Sequence, residues 1–133
     1  MWKFCAYYFY IVDYISEIKN VKYRQAVTKL RISANRLPVE TGRYSNIPHD
    51  ERLCKYCNLN EVGNEEHNLM QCNHARFSGL RAEFTFRLYQ ANNSFRFFNN
   101  NELFMYIVTM KDKSISSLVA KYCFDVLQTF DQL

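Results

Sequence analysis

Between residues 14 and 37 the apolar side chains Ile15, Ile18, Tyr23, Val27, Leu30, Ala34 and Leu37 recur largely at steps of three and four. That spacing lays one apolar stripe along a helix and predicts one helix, or two joined near Asn20. Pro38 ends the pattern, because it disfavours the helical region for Leu37 and has no N–H to donate. Residues 39–50, with Gly42 and Pro48, then read as a loop carrying Arg43 and Tyr44. A second stripe, Phe77, Leu80, Phe84 and Leu88, predicts a helix with Arg76, Arg81 and Arg87 on its polar sides. Asn92, Asn93, Asn99, Asn100 and Asn101 surround Phe95, Phe97 and Phe98, a pattern expected of a loop whose rings plug into the core. Residues 102–110 are expected to form a short apolar helix. In the last helix Ile115, Leu118, Val119, Tyr122, Val126, Phe130 and Leu133 keep one face apolar, with Ser114 or Asp112 as its cap.

Composition sharpens this picture. Only three Gly and two Pro occur in 133 residues, too few turn formers for many short strands, and the 48% hydrophobic content with eleven Phe and ten Tyr describes a globular core. The expectation is a mainly α, single domain over 1–133: N-terminal helices and a basic loop (1–53), an irregular insert (54–74) and C-terminal helices (75–133). Residues 1–12 are apolar and aromatic but too short to span a bilayer, and they lack the small-residue cleavage site of a signal peptide. They are expected to pack as a first helix, or to be the cut end of a longer parent chain.

Inside the irregular insert, Cys54, Cys57, His67 and Cys72 fall in the order C-x2-C-x9-H-x4-C. Three soft thiolates and one imidazole fill the four positions of a tetrahedral Zn²⁺ site, which leaves none for water or substrate, so the site reads as structural. His67 and Cys72 are expected on one short helical turn, with Gly63 and Asn64 as turn formers ahead of it. The rival imidazoles are His74, crowded close behind Cys72, and His49, an exposed loop residue. A disulfide between two of the clustered cysteines is the competing reading, and it leaves His67 unexplained. Cys5 and Cys123 lie in apolar stretches and read as buried free thiols, which fits a reducing, intracellular setting, nuclear or cytoplasmic.

Net charge is only +4, but residues 19–55 carry nine Lys or Arg against the three acids Glu40, Asp50 and Glu51. Lys22, Lys29 and Arg36 fall opposite the apolar stripe and Arg24 and Arg31 flank it. With Arg43 and Lys55 they form a surface suited to phosphates, while Tyr44 and Tyr56 are candidates for stacking on bases. The plainer reading is a solvated helix face and two core tyrosines. Glu65 and Glu66 precede His67 as a general base would in a zinc hydrolase, but the third thiolate closes the metal shell. With no nucleophile elbow and no glycine-rich phosphate loop, the chain is not expected to be an enzyme.

The run RQAVTKLRISANRLPVETGRYSNIPHDERLCKYCNLNEVGNEEHNLMQC resembles the region after the polymerase domain of non-LTR retrotransposon reverse transcriptases, as found in invertebrate endonuclease and reverse transcriptase polyproteins. In that family a TKLR-like helix leads into an ETGRY-type loop and then a CxxC…E…H…C motif. The later FMYIVTMKDKSISSLVAKYCFDVL is similar to the closing helices of the same region, so the resemblance runs from about Val21 onward. It implies a zinc-knuckle-like accessory module that grips template RNA or target DNA, with Cys54, Cys57, His67 and Cys72 as ligands and no polymerase activity of its own. Binding would tolerate sequence. The alternative is a protein-interaction or scaffold module, a domesticated fragment whose partner is a parent polyprotein or another protein.

Overall fold

In the computed structural model, which describes residues 17–109 and 113–131, Asn20 opens α1 (Val21–Arg31), the first helix lying wholly among the described residues. The expected helix over residues 1–12, Cys5, Ile15, the cap role of Asp112 and the last stripe position, Leu133, lie outside the described residues. The Asn20 side-chain oxygen accepts from the backbone N–H of Lys22 at 3.0 Å and of Tyr23 at 3.2 Å, satisfying two of the donors that a helix start leaves unpaired.

The helix stops earlier than its apolar stripe suggests. Ser33 adopts a left-handed conformation (φ 59°) and the N–H of Ala34 returns to the carbonyl of Lys29 at 2.9 Å, a closure of the Schellman type that ends α1 before Leu37. Pro38 then plays the opposite part to the one its sequence position suggests. Leu37 is extended and Pro38 is the first residue of a second helix, α2 (Pro38–Tyr44), where a missing N–H costs nothing and the fixed φ is already helical. The expected loop over 39–50 is therefore helical in its first half. It ends as α1 does: Asn46 is left-handed (φ 57°) and the Ile47 N–H reaches Gly42 O at 2.9 Å.

Three further helices follow among the described residues: α3 (Ala75–Ala91), α4 (Asn100–Thr109) and α5 (Ser116–Asp131). Helix α5 is the spine against which both α1 and α3 pack. Its buried face carries Val119, Ala120, Tyr122, Cys123, Val126, Leu127 and Phe130, and Phe84 of α3 stacks on Tyr122 with ring centroids 4.3 Å apart. Cys123 is fully buried, and desolvation pushes its thiol up to about 12. The expected asparagine-rich loop contains a 3₁₀ turn (Asn93–Phe97). Phe95 is buried against Phe98 and Tyr106, but Phe97 is 82% exposed, so only part of the expected aromatic plug enters the core. With about three residues per turn, Phe95 and Phe97 point in different directions and both cannot face inward.

Among the described residues the only β feature is an isolated antiparallel bridge between Leu53 and Val62, so the architecture is mainly helical with an irregular Cys-rich insert. No helix among them is long and apolar enough to cross a membrane.

Candidate metal centre

The insert is built on that bridge. Cys54 N–H donates to Glu61 O and Gly63 N–H to Arg52 O, each at 2.9 Å, which makes a short hairpin with Cys54 and Cys57 at its turn end. Asn60 takes a left-handed conformation (φ 56°) to close the connection. Arg52 holds the hairpin to α2: its Nε donates to Ile47 O at 2.8 Å and its Nη1 to Val39 O at 3.0 Å. On the far side, the Asn64 side chain accepts from His67 N–H at 2.8 Å and starts the next helical turn.

That turn (His67–Gln71) is a π-helical one, closed by Cys72 N–H to His67 O at 2.7 Å. In an α-helix two residues five apart stand about 140° from each other around the axis. The wider turn reduces that divergence, so His67 and Cys72 can face one point.

The four candidate ligands converge: the thiol sulfurs of Cys54, Cys57 and Cys72 and a ring nitrogen of His67 all lie within 4.8 Å of one another, close enough for one metal ion to bond all four. Cys54 Sγ and Cys72 Sγ are 3.8 Å apart and Cys57 Sγ is 3.4 Å from His67 Nε2. Cys54, His67 and Cys72 are buried and Cys57 is half-buried.

The electrostatics suit a cation. Burial raises the Cys54 thiol, but the Tyr56 and Cys57 backbone N–H groups, with the Cys57 and Cys72 side chains, outweigh it and bring it below the ordinary thiol value. Burial and the neighbouring Cys54 push Cys72 up to about 12. Burial also lowers His67, which keeps its imidazole neutral and able to donate a lone pair.

Four supporting residues escape sequence reasoning. Asn68, fully buried, points its Nδ2 at Cys54 Sγ at 3.6 Å. Arg81, expected on a polar face of α3, instead reaches back to donate to Leu69 O at 3.0 Å and Cys72 O at 2.9 Å, and Tyr122 of α5 also donates to Leu69 O. Arg52 was visible only as one of nine basic residues. Their common signal, a polar side chain next to a ligand or on the inward face of a helix, is too weak to read without the fold.

The rival imidazoles lie elsewhere. His74 caps α3 by accepting from Arg76 N–H at 3.2 Å and packs against Tyr56, while His49 is exposed beside Asp50. Of the residues expected to meet phosphates, Lys22, Lys29, Arg36, Arg43 and Lys55 are exposed and Arg24 is half-buried, donating to Ile18 O at 3.1 Å. Arg31 is only 4% exposed, near Cys123, and so lies off that surface: the helix turns it toward α5 rather than to solvent. Arg43 is engaged by Glu40 at 2.8 Å and lies over the ring of Tyr44, which is 80% exposed. Tyr56 is committed to packing, edge-on to Phe77 and Phe130 with its hydroxyl donating to Thr129 O.

Comparison with protein-family models, curated proteins and solved structures yields no match.

Proposed function

We propose that Cys54, Cys57, His67 and Cys72 hold one structural Zn²⁺, and that the protein is a nucleic-acid-binding accessory module of the kind found in the C-terminal region of non-LTR retrotransposon reverse transcriptases. Two thiolates each about 2.3 Å from a tetrahedral zinc stand about 3.8 Å apart, and the 3.8 Å between Cys54 and Cys72 supports that metal. Three thiolates with one imidazole favour zinc over harder cations, and no ligand position is left for catalysis.

The observation that carries the nucleic-acid reading is the division of the basic residues. Arg43, Arg87, Lys113 and Lys121 are each neutralised by a carboxylate. Among the described residues Lys19, Lys22, Lys29, Arg36 and Lys55 are exposed and form no ion pair, clustered between residues 19 and 55; in the second half only Arg76 and Arg96 are so placed, and there Arg76 donates to Thr129 and Arg96 lies over the Tyr89 ring. Uncompensated cations attract the phosphate backbone irrespective of base sequence.

Elemental analysis of the purified protein should find one zinc per chain, and none in Cys57→Ser. Binding to RNA or DNA should weaken steeply with salt, with a log–log slope of about −3 for four contacts. Lys22→Glu with Lys29→Glu should weaken it at least tenfold and flatten that slope by one to two. Exposed Phe86 and Phe97 favour a second reading, a scaffold that docks a protein partner. Absence of any binding to RNA or DNA at low salt would leave only that reading.

A further inference from the structure

A cleft of about 190 Å³ opens between the Cys54–Cys57 turn, the start of α2 and the last turn of α5. Its lining is Arg36, Pro38, Thr41, Lys55, Tyr56 and Phe130. Arg36 stands just ahead of α2 and Lys55 lies between two of the metal ligands, so segments distant in the chain bring two exposed cations to one opening. No acid lines the cleft, and among the described residues neither cation has an ion-pair partner. The wall is apolar and stiff: Tyr56 packs edge-on against the stacked pair of Phe77, at 5.1 Å, and Phe130, at 5.3 Å, and is tied through its hydroxyl to Thr129 O.

Two cations beside an aromatic wall fit an anionic group joined to a flat, weakly polar body. A bare anion has no use for the wall, and an apolar ligand has none for the cations. Small-molecule pockets commonly enclose 300–1,000 Å³, so a cleft of this size suits part of a larger chain better than a whole metabolite. A duplex presents convex phosphate ridges and keeps its bases stacked inside, whereas a single strand can turn one nucleotide into a recess. The last turn of α5 also borders a second groove, between α1 and α5, whose lining is part apolar (Ala26, Phe124, Leu127) and part charged (Lys22, Lys29, Asp131).

We propose that this cleft seats one nucleotide of single-stranded RNA or DNA, its phosphate between Arg36 and Lys55 and its sugar and base against Pro38 and Tyr56. The proposal rests on the nucleic-acid reading above and narrows it from polyanions in general to unpaired strands. Lys55 also makes the seat dependent on the metal, because the turn that presents it is held by Cys54 and Cys57.

The test is fluorescence anisotropy with labelled eight-nucleotide single strands of RNA and of DNA and a labelled sixteen-base-pair DNA duplex. The proteins are wild type, Arg36→Ala/Lys55→Ala and Lys22→Ala/Lys29→Ala, each confirmed to keep its metal and melting temperature. We expect the wild type to favour single strands at least about tenfold over the duplex. The cleft variant should lose at least about tenfold on single strands and no more than about threefold on the duplex, while the groove variant should lose on both. Photocrosslinking a thiouridine-containing RNA octamer to the wild type should label the peptide holding Lys55 and Tyr56. A duplex preference, a cleft variant within twofold of wild type on single strands, or crosslinks confined elsewhere would overturn the seat and leave general nucleic-acid binding standing. Failure of the wild type to bind any of the three probes would remove both.

Discussion

A Cβ built on Gly63 would lie 2.6 Å from Pro38 Cγ, inside a proline ring that cannot swing away, whereas one built on Gly79 would meet nothing within 4 Å. The same substitution is therefore predicted to have opposite signs at the two sites. Gly63→Ala should cost about 1–3 kcal/mol, because either the hairpin or α2 must shift, and should loosen metal binding by moving Cys54. Gly79→Ala, exposed in the middle of α3, should stabilise by about 0.5–1 kcal/mol through helix propensity alone. Paired thermal melts decide it, and a Gly63→Ala protein as stable as wild type would mean that the close approach imposes nothing. Read from the sequence, Gly63 is a turn former; its φ is not positive, and its reason is a contact 25 positions away. The four ligands are legible because their identities and spacing already carry the chemistry. Asn68 and Arg81 are not, since nothing local distinguishes an asparagine pointing at a sulfur or an arginine pointing at carbonyls from solvated ones.

The elements repeat that contrast between local and long-range signals. Stripes of apolar residues locate α1, α3 and α5, because a buried helical face imposes its period on the sequence whatever the fold. Their ends are harder to see: α1 stops where Ser33 turns left-handed, and α2 hides behind a proline that reads equally as a terminator or a first helical residue. The π turn is another case, since the carbonyls at its C-terminal end have no partner within so short a turn and are taken by distant side chains. Leu69 O takes Arg81 and Tyr122, and Cys72 O takes Arg81. Arg81→Met, which keeps the aliphatic stem and removes the donors, should cost about 2 kcal/mol of stability. It should also weaken metal binding about tenfold, the usual scale for groups that orient ligands. A competition titration with a chromophoric chelator measures the second effect. Unchanged affinity alongside lowered stability would confine Arg81 to packing.

At the scale of the whole molecule, the candidate metal site is part of the core. Cys54, Leu69, Met70 and Cys72 belong to the same buried cluster as α5, and Tyr56 and Tyr122 connect the site to that helix by hydrogen bonds. Stripping the ion should therefore disturb the helical body as well as the loop. On the proposed reading of a structural zinc, which typically contributes several kcal/mol or more, a strong chelator should lower Tm by on the order of 10 °C or more, and Cys57→Ser should reproduce that loss without chelator. Acid should act in the same direction. Burial sets the folded His67 below its ordinary 6.5, so between the folded value and 6.5 the unfolded chain binds a proton that the folded ring does not. Stability then falls as pH drops through that window, even in the metal-free protein. In the metal-bound protein the fall should be steeper, because protons also compete for the thiolates and imidazole that hold the ion. Melting curves from pH 8 to pH 5, with and without chelator, should diverge most at the alkaline end and converge toward the acid one. A Tm indifferent to chelator at pH 8 would mean that the four residues cluster without a metal to organise them.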